Sequence, residues 1–505
     1  MTTTSSTSSS SSPLITSLGV GSGLDLSTLL TQLTTAAQTP LTQIKNQETA
    51  YQTKLSAYGQ LQSMLTAFQT TAQQLSKPSF FNSTTATSSN AGTVGATSST
   101  SAVAGSYAVN VTQLAQAQSL VSTGQASQTA STMTGTIHIN LGTISDPNNT
   151  LSNGVYGNGT TFAAKSGSSG VDITIDSSNN TLQGIAGAIN KANAGVTASI
   201  INDGSGTPYR LVLTSNATGA NSSMQITTSN ESGSGASLSS LLGYDPTGGS
   251  AQNMQQVVAG QNAKMTVNNI AIQSASNSVT DAIQGVTLSL SQTGASTVAV
   301  KQDTKTIETG VQSFVTAYNN LQSTITSLSA YDASTKTAQP LTGDSTLQVL
   351  QQQLRSVLNA AQSGSGSGAN AIKTLAQAGV TFQKDGTLSF DSTTLDSALS
   401  SNPNGVAALF ANTNGVSGYG NQINSLVTSM TGTNGALTAA TNGINQTLTS
   451  LSSQYTALQG TINAQIQNYQ TEFSHLDVLM SQMQNTSSYL TQQFNAMTKS
   501  SSTSG

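Results

Sequence analysis

Apolar residues in this chain change period twice, recurring every three or four positions near both ends and every second position between them. A period near 3.6 fits one face of a helix and a period of two fits one face of a strand, so the pattern divides the chain before any motif is considered. In the first stretch Leu41, Ile44, Tyr51, Leu55, Tyr58, Leu61, Leu65, Phe68, Ala72 and Leu75 form one stripe, which predicts a helix over 41–75. Pro40 suits the first turn of that helix, and Lys77-Pro78 ends it because proline disfavours helical backbone in the residue before it. The steps 55, 58, 61, 65 would locally overwind a coiled coil. The second stripe runs Leu448, Leu451, Tyr455, Leu458, Ile462, Tyr469, Phe473, Leu476, Met480, Met483, Leu490, Phe494 and Met497. No Asp, Glu, Lys or Arg occurs from residue 397 to residue 471, so the ion pairs that normally choose coiled-coil partners are missing there. Both stripes fit an intramolecular helical hairpin and also contact with another molecule, and the two arrangements can coexist.

Between the helical ends, alternation and Gly, Asn and Ser punctuation predict strands over 107–114, 136–141, 171–175, 196–201, 209–214, 264–272, 286–291 and 297–301. A short helix over 182–192 interrupts them. Helices follow over 306–327 and 346–361, then a hairpin over 380–390 that turns at Lys384-Asp385-Gly386. The expected fold is α+β, multidomain and elongated, with a coiled-coil-like helical leg formed by both chain ends and strand-rich head domains inserted in the middle. The expected boundaries are disordered tails over 1–13 and 498–505, terminal assembly segments over 14–40 and 472–497 that stay disordered until assembled, and a leg over 41–81 and 305–471. The inner head takes 82–121 and 255–304, and the outer head takes 122–254.

Composition narrows the function. Only 6% of the 505 residues are charged, against roughly 25% in ordinary soluble proteins, so little charge repulsion keeps neighbouring copies apart. A net charge of -4 with two arginines, Arg210 and Arg355, cannot build the basic stripe that nucleic-acid binding requires. With no cysteine there is no disulfide framework, cysteine metal site or thiol nucleophile. No run of 18 apolar residues occurs, so no transmembrane segment is expected, and the Ser/Thr-rich start is unlike a cleavable signal peptide. The two histidines, His138 and His475, offer no triad or metal motif, and each reads as an ordinary solvated or hydrogen-bonded side chain. Gly19-Val20-Gly21-Ser22-Gly23 lacks the preceding strand and following lysine of a phosphate loop. Asp172, Asp176 and Asp203 are read as turn residues rather than as calcium ligands or a glycosidase pair. No catalytic residue, cofactor or metal is expected, and the chain is not read as an enzyme.

Several motifs resemble a known family. Ile15-Thr16-Ser17-Leu18-Gly19-Val20-Gly21-Ser22-Gly23-Leu24-Asp25, with Leu29-Leu30 and Pro40-Leu41, resembles the opening of bacterial flagellar filament-capping proteins, the flagellar hook-associated protein 2 family. Lys54-Leu55-Ser56-Ala57-Tyr58-Gly59 is similar to the family's first long helix, and Gly105-Ser106-Tyr107 through Ala115 to its first head strand. Thr181-Leu182 to Ile189-Asn190, Gly195 to Ala198 and Arg210 to Ser215 follow in the family's order, and Thr486 to Phe494 resembles its closing helix. The charge-poor C-terminal helical region departs from the family's pattern.

The resemblance implies a structural cap at the distal tip of the bacterial flagellar filament, secreted through the flagellar type III export channel. Such a cap is a homo-oligomeric ring of about five subunits. Its partners would be flagellin and the filament tip, hook-filament junction proteins, and a cytosolic export chaperone at the C-terminal segment. Assembly residues would be Leu18, Gly19, Gly21, Gly23, Leu24 and Asp25, and at the other end Leu476, Met480, Met483, Tyr489, Leu490, Phe494 and Met497. Another axial flagellar protein, such as a hook-filament junction protein or flagellin, and a secreted adhesin are the alternatives.

Overall fold

The computed structural model describes residues 25–247, 252–362, 371–411, 415 and 417–501. Its main helices are α1 (Leu26–Leu75), α2 (Leu182–Ala192), α3 (Thr304–Ser329), α4 (Ser345–Asn359), α5 (Ser392–Ser401), α6 (Pro403–Phe410), α7 (Tyr419–Thr431) and α8 (Ala436–Ser501). The chain divides into two compact units, Met1–Pro78 with Glu308–Gly505, and Ser79–Ile307. Helices dominate the first and strands the second, as an α+β fold requires.

In the helical unit, the stripe anticipated over 41–75 buries Tyr58, Leu61, Leu65, Phe68, Ala72 and Leu75. Phe68 stands 5.0 Å from Phe314 and 5.7 Å from Tyr318, and Phe314 continues the cluster to Phe410 at 6.2 Å. Such tilted and edge-on pairs add about 0.5–1.5 kcal/mol each beyond the area they bury. The helix itself begins earlier than expected, at Leu26, with Pro40 in its interior. Proline removes one backbone hydrogen bond and crowds the preceding turn. Leu26 and Leu30 before it and Leu41 after it are all buried, so packing on both sides carries the helix through. Residues 26–40 and 472–497, assigned from sequence to the terminal assembly segments, lie within α1 and α8.

The hairpin anticipated over 380–390 is present, with Val380–Phe382 paired to Leu388–Phe390. Gly386 takes φ +82°, which favours glycine, while the Asp385 carboxylate accepts from the Thr387 N–H at 3.0 Å. Helices α5, α6 and α7 were not anticipated. They are short and separated by Asn and Gly, but Asn402 caps α6 with Pro403 in its first turn, a local start signal.

In the strand-rich unit, a five-stranded sheet holds Thr84–Ser88, Gly294–Gln302, Gly105–Gln113, Ala263–Val267 and Ile270–Ser274 in that order. It shares a core that includes Val94, Val111, Met265, Leu288 and Val298 with a three-stranded sheet. Two further four-stranded sheets and α2 surround a second core, which includes Leu120, Ile139, Ile185, Leu213 and Ile226. The single strand expected over 264–272 is instead a hairpin. Asn268 and Asn269 turn it with φ of +48° and +66°, the left-handed pair that a two-residue hairpin needs.

Side-chain amides mimic peptide groups along these strands. Asn277 accepts from the Ala115 N–H at 2.8 Å and donates to its carbonyl at 2.9 Å. Gln252 makes the same reciprocal pair with Tyr156, at 2.7 Å in each direction. In a charge-poor chain, carboxamides thus satisfy backbone groups that would otherwise be left open for another strand.

Candidate functional site

The titratable groups give little material for catalysis. His138 Nδ1 meets Asp172 Oδ1 at 2.6 Å across two paired strands, so Asp172 serves this pair and not the turn expected for it. Asp176 and Asp203 do hold turns, accepting from the N–H groups of Ser178 at 2.8 Å and Ser205 at 2.9 Å. Hydrogen bonds from Arg210 and Ser205 hold the Asp203 carboxyl well below its ordinary range. His475 lies in the other unit, exposed on α8. Among the described residues no group of three or more His, Asp and Glu could hold a metal ion, and no helix is long and apolar enough to cross a membrane.

The two ends of the helical unit are better supplied with surface. At the N-terminal end, Asp25 caps α1 by accepting from the Thr28 N–H at 3.0 Å and the Ser27 hydroxyl at 3.0 Å. These bonds, led by Thr28, lower its carboxyl pKa. Leu18, Gly19, Gly21, Gly23 and Leu24 lie outside the described residues.

Along α8, burial fades from one end to the other. Leu437, Ile444, Leu451 and Ile462 are buried, and Tyr455 shares a cleft with Leu41 and Lys45 of α1. Beyond Ile462 no α8 side chain among the described residues is buried. Leu476, Met483, Tyr489, Leu490, Phe494 and Met497 are exposed, Phe494 to 65%, and Met480 is half-buried. Each residue turns a helix by about 100°, so Met480, Met483, Leu490, Phe494 and Met497 all fall within roughly 60° of Leu476. Tyr489 falls roughly 140° away. It therefore belongs to the opposite face. Sequence reasoning missed Leu479, exposed on the main stripe, and Val478, exposed beside Tyr489 on the other side. Leu479 was readable from its three- and four-residue spacing to Leu476 and Met483.

Known proteins resemble this chain along almost its whole length. The chain is 40% identical over 497 residues to the flagellar hook-associated protein 2 of Escherichia coli K12, covering 95% of this chain and 98% of that one. This chain belongs to the flagellar hook-associated protein 2 family. The family's N-terminal model matches residues 22–118 and its C-terminal model residues 260–485, while a flagellin hook IN motif matches residues 155–217. The flagellar hook-associated protein 2 of Salmonella typhimurium is 38% identical, covering 96% of this chain and 99% of its own. The crystal structure of the D1-D2-D3 domains of the flagellar cap protein FliD from Escherichia coli superposes with a TM-score of 0.62 at 37% identity. It covers 77% of this chain and 99% of that one. The hook-associated protein 2 models thus take in Asp25 at one end and Leu476, Met480 and Met483 at the other. The hook IN motif spans α2 and the strands Val196–Asn202 and Tyr209–Ser215.

Proposed function

We propose that this chain is the cap at the distal tip of the bacterial flagellar filament, where it guides exported flagellin into the growing end and prevents its loss to the medium. The end-to-end similarity to curated flagellar hook-associated proteins carries this reading. The long, exposed apolar stripe of α8 supports it, since a large unburied apolar face marks a surface that works with a partner. The cap acts as a ring of about five copies whose grip on the filament is divided among several modest contacts, so that one leg can release while the others hold.

In this reading residues 14–40 and 472–497 are the assembly segments. Before export, the stripe from Leu476 to Met497 is covered by a cytosolic chaperone, because methionine and phenylalanine repack readily against unlike surfaces. At the filament tip the same stripe lies against the filament end or a neighbouring leg, close to the hook-filament junction proteins while the filament is short. Contacts made of amides, hydroxyls and apolar groups respond weakly to ionic strength outside the cell. Deleting the chain's gene from its host and restoring it on a plasmid tests the function. Short or missing filaments with flagellin in the medium, reversed by the plasmid, are expected; full-length filaments in the deletion strain overturn the reading.

A further inference from the structure

We propose that the outer edge of the strand Ile270–Ser274 pairs antiparallel with the same edge of a second copy of this chain, about a two-fold axis at Ile272.

The strand is an end member of the five-stranded sheet and follows Ala263–Val267 through the turn at Asn268 and Asn269. A two-residue turn bonds Val267 to Ile270, so Ile270, Ile272 and Ser274 direct their N–H and C=O groups inward while Ala271 and Gln273 direct theirs outward. The preceding strand keeps the same parity, since the Asn268 N–H donates at 2.8 Å to the Ala108 carbonyl on its other side. Ala271 and Gln273 are exposed, and among the described residues no loop or side chain bonds their outward groups.

Other edges of this unit are blunted. Asn190 occupies both backbone groups of Ala198 in Val196–Asn202, and the Asn179 amide donates to the Thr174 carbonyl at 3.1 Å in Val171–Ile175. At the opposite end of the five-stranded sheet, the Ser98 hydroxyl donates to the Thr84 carbonyl at 2.7 Å. In Gln255–Val258 the Gln256 N–H donates to the Gly154 carbonyl at 2.9 Å. A register shift and Asp281 interrupt Ser278–Ile283, and Thr161–Ala164 runs into the exposed Lys165. Ile270–Ser274 has no charge, proline or bulge, the usual protections of a free edge. Its apolar side chains are uncovered as well. Ile272 packs on the core that holds Met265 and Leu288 yet stays half-buried, and Ile270, at 68%, is the most exposed large apolar side chain among the described residues.

A second copy completes both the hydrogen bonds and the apolar cover. The outward groups lie symmetrically about Ile272, so in antiparallel pairing Ala271 of each copy bonds Gln273 of the other through both backbone groups. Ile272 then faces its own counterpart in a non-bonded pair, where side chains come closest, and Ile270 faces Ser274 with the other Ile272 on its diagonal. Since neither edge carries a charge, two identical strands meet without repulsion. The contact is two-fold and so is separate from the head-to-tail contacts that close a ring. A strand pair this short buries well under the roughly 1,200 Å² of a stable complex, so it is weak between free chains and holds where several act together, as between two rings of the proposed cap. The pairing itself does not depend on that reading.

Disulfide trapping tests the pairing, because the chain has no cysteine of its own and a covalent link holds even a weak contact. Full-length Ile272→Cys, oxidised with copper phenanthroline, is expected to form covalent dimers. Ile270→Cys should do so only when mixed with Ser274→Cys, as the register requires. Adding Gln273→Pro, which removes an outward N–H and no bond of the native sheet, should lower the Ile272→Cys dimer yield at least tenfold. Circular dichroism melts confirm that each variant is folded, and amide exchange at Ala271 and Gln273 of the unaltered chain should slow as it is concentrated. Ile272→Cys that stays monomeric, Ile270→Cys that links to itself as readily, or an unchanged yield with Gln273→Pro overturns the pairing. Exchange that slows only when flagellin is added gives the edge to another protein's strand and overturns it too. Capping is read separately, so a chain that dimerises at this edge yet is dispensable for filaments overturns the proposed function and leaves the pairing standing.

Discussion

The Tyr58 hydroxyl donates to Asp344 Oδ2 at 2.7 Å, tying α1 to the start of α4. The same carboxylate receives Lys54 Nζ at 2.8 Å and, through Oδ1, the Leu347 N–H at 3.1 Å, so a side chain 7% exposed has a donor on every side. Buried charge is tolerated when it is paired and hydrogen-bonded, and removing one partner leaves it stranded. Tyr58→Phe should therefore destabilise the chain by about 1.5–3 kcal/mol, read from urea unfolding.

The same cluster makes stability depend on acidity. Burial raises the Asp344 pKa, but the Lys54 ammonium and the Tyr58 hydroxyl outweigh it and bring it below the ordinary 3.8. A carboxyl whose folded pKa is depressed contributes stability that is present above its unfolded pKa and lost as pH falls through the folded one. Unfolding followed from pH 7 downwards should show that loss beginning near pH 4 and continuing below it. Asp344→Asn, less stable at pH 7, should flatten this part of the profile; an unchanged acid slope counts against the assignment.

Side-chain amides at sheet edges give a second test. Asn190 on α2 accepts from the Ala198 N–H at 2.7 Å and donates to the Ala198 carbonyl at 2.8 Å. Asn190→Ala leaves both backbone groups without that partner and should cost about 1–3 kcal/mol. Amide hydrogen exchange at Ala198 should accelerate in the variant, while exchange at Val111, in the other core of the same unit, should not change.

The strand-rich unit should also fold by itself. Its ladders pair strands within Ser79–Ile307, and it has two cores of its own. A fragment of those residues is expected to melt cooperatively, with β-rich circular dichroism. A broad, featureless melt would show that the helical unit is needed to complete its packing.

What the sequence disclosed depended on whether one period ran unbroken through an element. α2 was legible to the residue because its stripe of Leu182, Ile185, Ala186 and Ile189 is closed at the front by Thr181, whose hydroxyl accepts from the Gly184 N–H. The hairpin at 263–274 was misread because Met265, Val267, Ile270 and Ile272 are all apolar. Their change from odd to even positions marked the turn, but mean alternation hid it. Pro40 suggested a start that packing overrode, since local propensity loses to burial on both sides of it. At the candidate site the exposed stripe of α8 was legible from spacing, whereas Tyr489, expected among the assembly residues, lies on the opposite face of the helix.

Two phenylalanines separate folding from assembly. Phe68 is fully buried between Phe314 and Tyr318, whereas Phe494 is 65% exposed on the stripe of α8. Phe68→Ala should destabilise the isolated chain by about 3–5 kcal/mol, through lost burial and the cavity left behind. Phe494→Ala removes little that the single chain buries, so its unfolding free energy should stay within about 0.5 kcal/mol of wild type. Ring formation, chaperone capture and filament capping should all weaken in that second variant. A core-sized loss of monomer stability in Phe494→Ala would instead mean that the stripe packs permanently within one chain and is closed to any partner.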